Sequence, residues 1–334
     1  MIDPSIPLID LHRHLDGSIR IDTILELGRQ HNLPLPAWDI ETLTPHIQIT
    51  EYQPSVMAYI GKFKWLVGVL VEYDDCYRVA YENVEDAKNE GLDYVELRFS
   101  PWFMAESNEL NPVGVVESVV AGVRQAEEDI GIKVNLIGIM SRTYGPSNAR
   151  KELDALLSQR DQIIAIDLAG DEANFPGELF IDHINSAKDA GWHVTIHAGE
   201  SSGAESIWQA IDELGAERIG HGVHADGDEK LLEHIVEKGI GIESSLTSNV
   251  HTSTVQDYAS HPLRRFLERG VLATINTDNT TISGINIEYE YNVAAPAAGL
   301  TGDQVYQAQR NALVVAFLSP SEKKNILAKP NRAA

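Results

Sequence analysis

Leu8-Ile9-Asp10-Leu11-His12-Arg13-His14 is the stretch on which the fold turns. It is a short apolar run of the kind that forms a buried parallel strand, and it ends in two histidines one residue apart. Side chains alternate between the faces of a strand, so His12 and His14 share one face and Arg13 takes the other. Two imidazoles converging from one strand end are a common beginning for a divalent metal site. Taken alone, the pair also fits two surface histidines. It gains meaning because His197, His221 and Asp278 lie in or just after other apolar runs.

Eight such runs are present, at 8–15, 94–100, 134–141, 163–170, 193–200, 218–223, 239–246 and 271–278. Most are near-continuous Val, Ile and Leu, as parallel strands buried on both faces require. Apolar residues at helical spacing separate them, for example at 114–129, 150–158, 179–190 and 230–238. Strand and helix alternating eight times predict an α/β fold, a closed (β/α)8 TIM barrel rather than an open sheet. No Gly-x-Gly-x-x-Gly turn follows the first strand, which argues against a dinucleotide fold. Residues 17–92 interrupt the rhythm with three or four helical patterns, including 21–31 and 54–71. This helical excursion falls where a lid would sit. Its stripe of Tyr59, Phe63, Trp65, Leu66 and Val69 reads either as that lid or as ordinary helix packing. The tail, 286–334, reads as helices, with capping boxes at Thr301/Gln304 and Ser319/Glu322. With no repeat or linker in view, residues 1–334 are expected to form one domain.

The 334 residues are 43% apolar, ample for a large core, and carry 50 acidic against 26 basic side chains, a net of −24. That surface repels phosphate backbones and anionic lipid, so neither nucleic acid nor a membrane is expected as a partner. A neutral or cationic small molecule fits better. Cys76 is the sole cysteine, which excludes an internal disulfide and a thiolate metal cage. The N-terminus lacks the features of a signal peptide, and no uncharged apolar run approaches about 18 residues. A cytoplasmic protein is the expectation; the oligomeric state is left open.

Barrel enzymes carry their chemistry at the C-terminal ends of the strands. His12, His14, Gly170, His197, Glu200, His221 and Asp278 all fall there. Three imidazoles and a carboxylate suit Zn²⁺ with room for a water, whose pKa the ion brings from 15.7 to about 7. Ferrous or manganese occupancy stays open on residue types alone. The fourth run, Ile166-Asp167-Leu168-Ala169-Gly170, has no lysine to bridge two metals, so one ion per chain is expected. Glu200 is a proton donor if its pocket is dry, and a solvated turn residue if it is not. His221, between Gly220 and Gly222, either holds the activated water and takes its proton or merely packs.

His12-Arg13-His14-Leu15-Asp16-Gly17, Asp167-Leu168-Ala169-Gly170-Asp171-Glu172, His197-Ala198-Gly199-Glu200, Gly220-His221-Gly222 and Asn276-Thr277-Asp278 together resemble the adenosine deaminase family, bacterial members especially. The resemblance implies one zinc held by His12, His14, His197 and Asp278, with Glu200 protonating purine N1 and His221 assisting the hydroxide. It further implies that Asp16 binds a ribose hydroxyl and that the Gly170 backbone meets purine N3. The implied substrates are adenosine and 2′-deoxyadenosine, deaminated hydrolytically to inosine and 2′-deoxyinosine with release of ammonia. The family usually continues Asp-Asp-Pro after the eighth strand, the second Asp pairing with purine N7; this chain reads Asp278-Asn279-Thr280. An amide there gives weaker electrostatic help than a carboxylate. Three outcomes follow as expectations: a slower adenosine deaminase, a deaminase of another 6-aminopurine, or a purine binder that has lost turnover.

Overall fold

The structure, a computed structural model, describes residues 1–328. Eight parallel strands follow one another around a barrel in sequence order: β1 (Ile9–His14), β2 (Tyr94–Phe99), β3 (Lys133–Ser141), β4 (Ile163–Ala169), β5 (His193–Ala198), β6 (Arg218–His221), β7 (Gly241–Ser244) and β8 (Leu272–Ile275). Every run read as a strand is one. The seam between β8 and β1 is closed by an Arg13–Asp278 bridge. Across it the Asp278 amide donates to the His12 carbonyl at 2.7 Å, and the His14 amide donates to the Asp278 carbonyl at 2.8 Å. The two segments that carry the most telling residues therefore also close the barrel.

The strands are shorter at their C-terminal ends than the apolar runs suggest. Past β4, β5, β6 and β8 the chain turns out through left-handed residues, among them Gly170 (φ +107°), Gly199 (φ +65°) and Asp278 (φ +63°). A left-handed backbone cannot continue a strand. These turns swing the functional side chains over the barrel mouth.

The excursion contains five α-helices: Ile21–Gln30, Ile40–Ile47, Val56–Ile60, Lys64–Val67 and Tyr73–Asn89. The single helix expected over 54–71 is therefore a correction. It breaks at a 3₁₀ turn, Gly61–Phe63, and ends where Asn108 donates its amide to the carbonyls of Gly68 and Leu70. In the tail, both capping boxes form, on helices Gly302–Val315 and Pro320–Leu327. The last part of the expected 286–334 segment, residues 329–334, lies outside the described residues. The tail floors the barrel: Asn311 donates to the Ala273 carbonyl at 2.9 Å and the Phe317 amide to Glu96 at 2.8 Å.

Inside the barrel the side-chain layers are charged where such barrels usually hold branched apolar residues. Arg98, fully buried, spans Asp167 (2.8 Å) and Glu243 (2.7 Å). Arg218 pairs with Glu243 at 2.6 Å and with Glu96. Ion pairs at this depth add little net stability, but removing one partner strands a charge at about 3–5 kcal/mol. The network ties β2, β4, β6 and β7 into one rigid floor beneath the mouth.

Candidate active site

At the mouth the rings of His12, His14, His197 and His221 meet, with centroids 4.7–5.4 Å apart. Asp278 Oδ1 lies 3.2 Å from His14 Nε2 and 3.5 Å from His12 Nε2. Among the described residues two groupings of possible metal donors result, His12/His197/His221 and His12/His14/Asp278, and His12 is common to both. Neither contains all four of the ligands expected from the sequence. The fit to a cation rests on the orientation of the rings. His12 Nδ1 is held by Glu243 at 2.7 Å and His197 Nδ1 by Asp167 at 2.9–3.0 Å. The Nε2 atoms are thereby left for the cluster, and that of His12 is buried with no hydrogen-bond partner. Carboxylates that orient imidazoles in this way are characteristic of metal sites. Gly220 makes the convergence possible: a Cβ there would lie 3.1 Å from His12 Cε1 and 3.3 Å from His197 Nδ1.

Burial pushes the His197 imidazole down to about 4, outweighing the attraction of Asp167. Burial, then the neighbouring His12, also hold His221 well below the usual imidazole range. Both rings are neutral at physiological pH and so keep lone pairs. Glu200 shows the opposite response. Burial, then the nearby carboxylates of Asp278 and Glu172, push its carboxyl well above the usual range. A carboxyl whose surroundings favour the protonated form therefore faces His221, whose surroundings disfavour a proton, and Glu200 Oε1 lies 3.7 Å from His221 Nε2. Its position is fixed from outside the cavity. The buried carboxylate of Glu172 accepts four successive backbone amides, from Gly199 (2.7 Å), Glu200 (3.2 Å), Ser201 (2.9 Å) and Ser202 (3.0 Å). The solvated-turn reading of Glu200 is excluded by this burial.

One cavity brings together His14, Asp16, Gly170, His197, Glu200, His221, Asp278 and Asn279. Asp16 accepts the Ser100 amide on Oδ2 (3.2 Å), while Oδ1 is buried without a hydrogen-bond partner, 3.6 Å from His14 Nδ1. Asn279, 4% exposed, stands at the N-cap position of helix Thr280–Ser283 but makes no side-chain capping bond, and its Oδ1 has no hydrogen-bond partner. It packs so closely on Gly17 that a Cβ there would overlap its amide. The stripe from the excursion divides. Tyr59 and Phe63 line the cavity, and Phe63 meets Phe103 with centroids 5.4 Å apart. Leu66 and Val69 lie in the core, and Trp65 packs against it, half-buried.

Sequence reading assigned no role to Arg98, Glu243, Glu172, Asn249 or His261. A signal existed for the first of these: Glu96 and Arg98 stand two apart in an otherwise apolar strand, hence on one face. The Gly-Asp-Glu end of the Asp167–Glu172 stretch was in view, but nothing in it says which loop Glu172 reaches.

An eight-stranded parallel barrel whose mouth gathers imidazoles, a carboxylate and a protonated acid defines a metal-dependent barrel hydrolase. Comparison narrows the class. A family model described as adenosine deaminase matches residues 7–331. The adenosine deaminase of Edwardsiella ictaluri is 57% identical over 324 residues, covering 97% of each chain. Among solved structures, adenine deaminase from Arthrobacter aurescens superposes with a TM-score of 0.89 at 25% identity, covering 96% of this chain and 97% of its own. An amidohydrolase from Burkholderia ambifaria with bound Zn gives 0.88 at 25% identity, covering 98% and 90%. The chain belongs to the adenosine deaminase family.

Proposed function

We propose that this chain deaminates adenosine and 2′-deoxyadenosine hydrolytically to inosine and 2′-deoxyinosine, releasing ammonia. The observation that carries the reading is Glu200, a buried carboxyl whose surroundings favour its protonated form and which lines one cavity with His14, His197 and His221. Simple purine binding needs no such acid. The 57% identity to a full-length adenosine deaminase favours the nucleoside over the free base of the more distant adenine deaminase.

In this reading His12, His14, His197 and Asp278 hold one metal ion. Zinc is the reading for it, supported by the nitrogen and oxygen donors and by the Zn in the Burkholderia ambifaria amidohydrolase. When bound, such an ion supplies a nucleophilic water at neutral pH. The chain's own groups do the remainder. Asp16 offers Oδ1, which has no hydrogen-bond partner, to a ribose hydroxyl, and the Gly170 backbone approaches purine N3. Tyr59, Phe63 and Phe103 cover the base and exclude water. Glu200 gives its proton to N1, which makes C6 electrophilic, and His221 stands beside the attacking oxygen. A C6–O bond forms and the C6–N6 bond breaks. One proton of the water replaces the one Glu200 gave up, and the other leaves with the amino group as ammonia. Asn279 faces the N7 edge as a neutral amide. The buried thiol of Cys76, with no second cysteine, suits a reducing, cytoplasmic setting.

The test is a comparison of kcat/KM for adenosine, 2′-deoxyadenosine and adenine. The reading predicts both nucleosides well above the base. Adenine as the preferred substrate would overturn it, as would purine binding with no ammonia released.

A further inference from the structure

His221 sits at the end of a chain of buried hydrogen bonds that begins at a backbone amide. The Leu263 amide donates to His261 Nδ1 at 3.1 Å. A peptide N–H can only donate, so this nitrogen carries the lone pair and the ring proton is on Nε2. Burial supports the neutral ring, holding His261 down to about 3. His261 Nε2 lies 3.2 Å from Asn249 Oδ1, and donation from the ring fixes which end of the Asn249 amide is oxygen. The amide nitrogen then faces His221 Nδ1 at 3.1 Å and donates to it. Nδ1 of His221 is therefore the acceptor, and the proton of this neutral imidazole resides on Nε2, the nitrogen that faces Glu200. Reversing Asn249 would set its N–H against that of His261, and all three side chains are at most 3% exposed, so no solvent would relieve the clash.

We propose that Asn249 and His261 are positioning residues that hold the proton of His221 on Nε2, so that His221 meets the attacking oxygen as a hydrogen-bond donor. The second half rests on the deaminase reading above; the first does not. A donor at this point aims the oxygen lone pair at C6 and cannot also take the water's proton. With Asp278 engaged as a ligand in that reading, Glu200, which has just given a proton to N1, is placed to receive it. The arrangement needs no change in the charge of His221, since the two forms it selects between are both neutral.

The direct test is the ¹⁵N spectrum of the zinc-loaded protein labelled at histidine, with His221 assigned by its loss in a His221→Gln variant. A pyrrole-type Nε2 and a pyridine-type Nδ1 are expected; the reverse, or a pyridine-type Nε2 on the metal, overturns the proposal. This readout requires no change at Asn249 or His261. A second test uses His261→Gln, which keeps an N–H for Asn249, against His261→Leu, which does not. The proposal predicts kcat about tenfold or more lower in the leucine variant than in the glutamine variant, with KM within about threefold. Equal kcat in the two would contradict it. If the expected spectrum is found but adenosine is not deaminated, the tautomer assignment stands and the functional reading falls.

Discussion

Glu172 Oε2 accepts the backbone amide of Glu200 at 3.2 Å and, with it, those of the next two residues. One carboxylate from the turn after β4 thus shapes the turn after β5 that presents the candidate acid. In Glu172→Gln one oxygen becomes an N–H donor facing amides that are themselves donors, so the turn loosens while the cavity keeps its lining. We expect kcat for adenosine to fall about tenfold or more with KM within about threefold, the signature of a misplaced reacting group. Parallel losses in KM and metal content would assign Glu172 to general scaffolding.

Asn279 stands beside Asp278 with an unpartnered oxygen, where the family usually has a second Asp. Asn279→Asp should raise kcat/KM on adenosine by about tenfold or more, since a charge-assisted hydrogen bond is worth about 1.5–3 kcal/mol. The same change buries another carboxylate near Asp278 and Glu200, so Tm should fall. An unchanged or lower kcat/KM would count against the N7 role.

Phe63 lines the cavity on one side and packs on Tyr59 and Phe103 on the other. Phe63→Ala should raise KM for adenosine several-fold, by roughly the loss of an apolar contact over the base. Unchanged kinetics with a lower Tm would make it a core residue only.

Glu152 contributes to stability in a way that depends on pH. Fully buried, it accepts the Ser141 amide at 2.6 Å and the Ser100 hydroxyl at 2.5 Å, yet burial outweighs both and pushes its carboxyl up to about 8. The folded chain therefore holds a proton that the unfolded chain, with an ordinary carboxyl near 4.5, releases between those values. Stability should decline as pH rises from about 4.5 to about 8. Glu152→Gln should flatten that part of a Tm-against-pH curve; an identical slope would show that the carboxyl titrates normally.

The barrel was legible because most strands are short runs rich in Val, Ile and Leu separated by helical spacing, a pattern that survives the charged residues Glu96, Arg98, Asp167, Arg218 and Glu243 on the inner face. Their C-terminal ends were less so: Asp278 and Gly199 sit in runs that read as strand, but the backbone there is left-handed. The imidazoles and Asp278 could be found because each occupies a strand end, a place with chemical meaning in this fold. What lies behind them could not. Arg98 and Glu243 are 145 residues apart, and nothing local to either identifies its partner. Glu172, Asn249 and His261 act on residues of other loops, and a carboxylate that receives amides is indistinguishable in sequence from one facing water.

Metal-dependent deamination of adenosine is read out by the ammonia it releases. The protein loaded with zinc should convert adenosine to inosine with stoichiometric ammonia, and the same protein stripped by a chelator should lose that activity and regain it when zinc is restored. Equal turnover with and without metal, or none in the loaded protein with its metal content intact, would show that the site is not a metal-dependent adenosine deaminase.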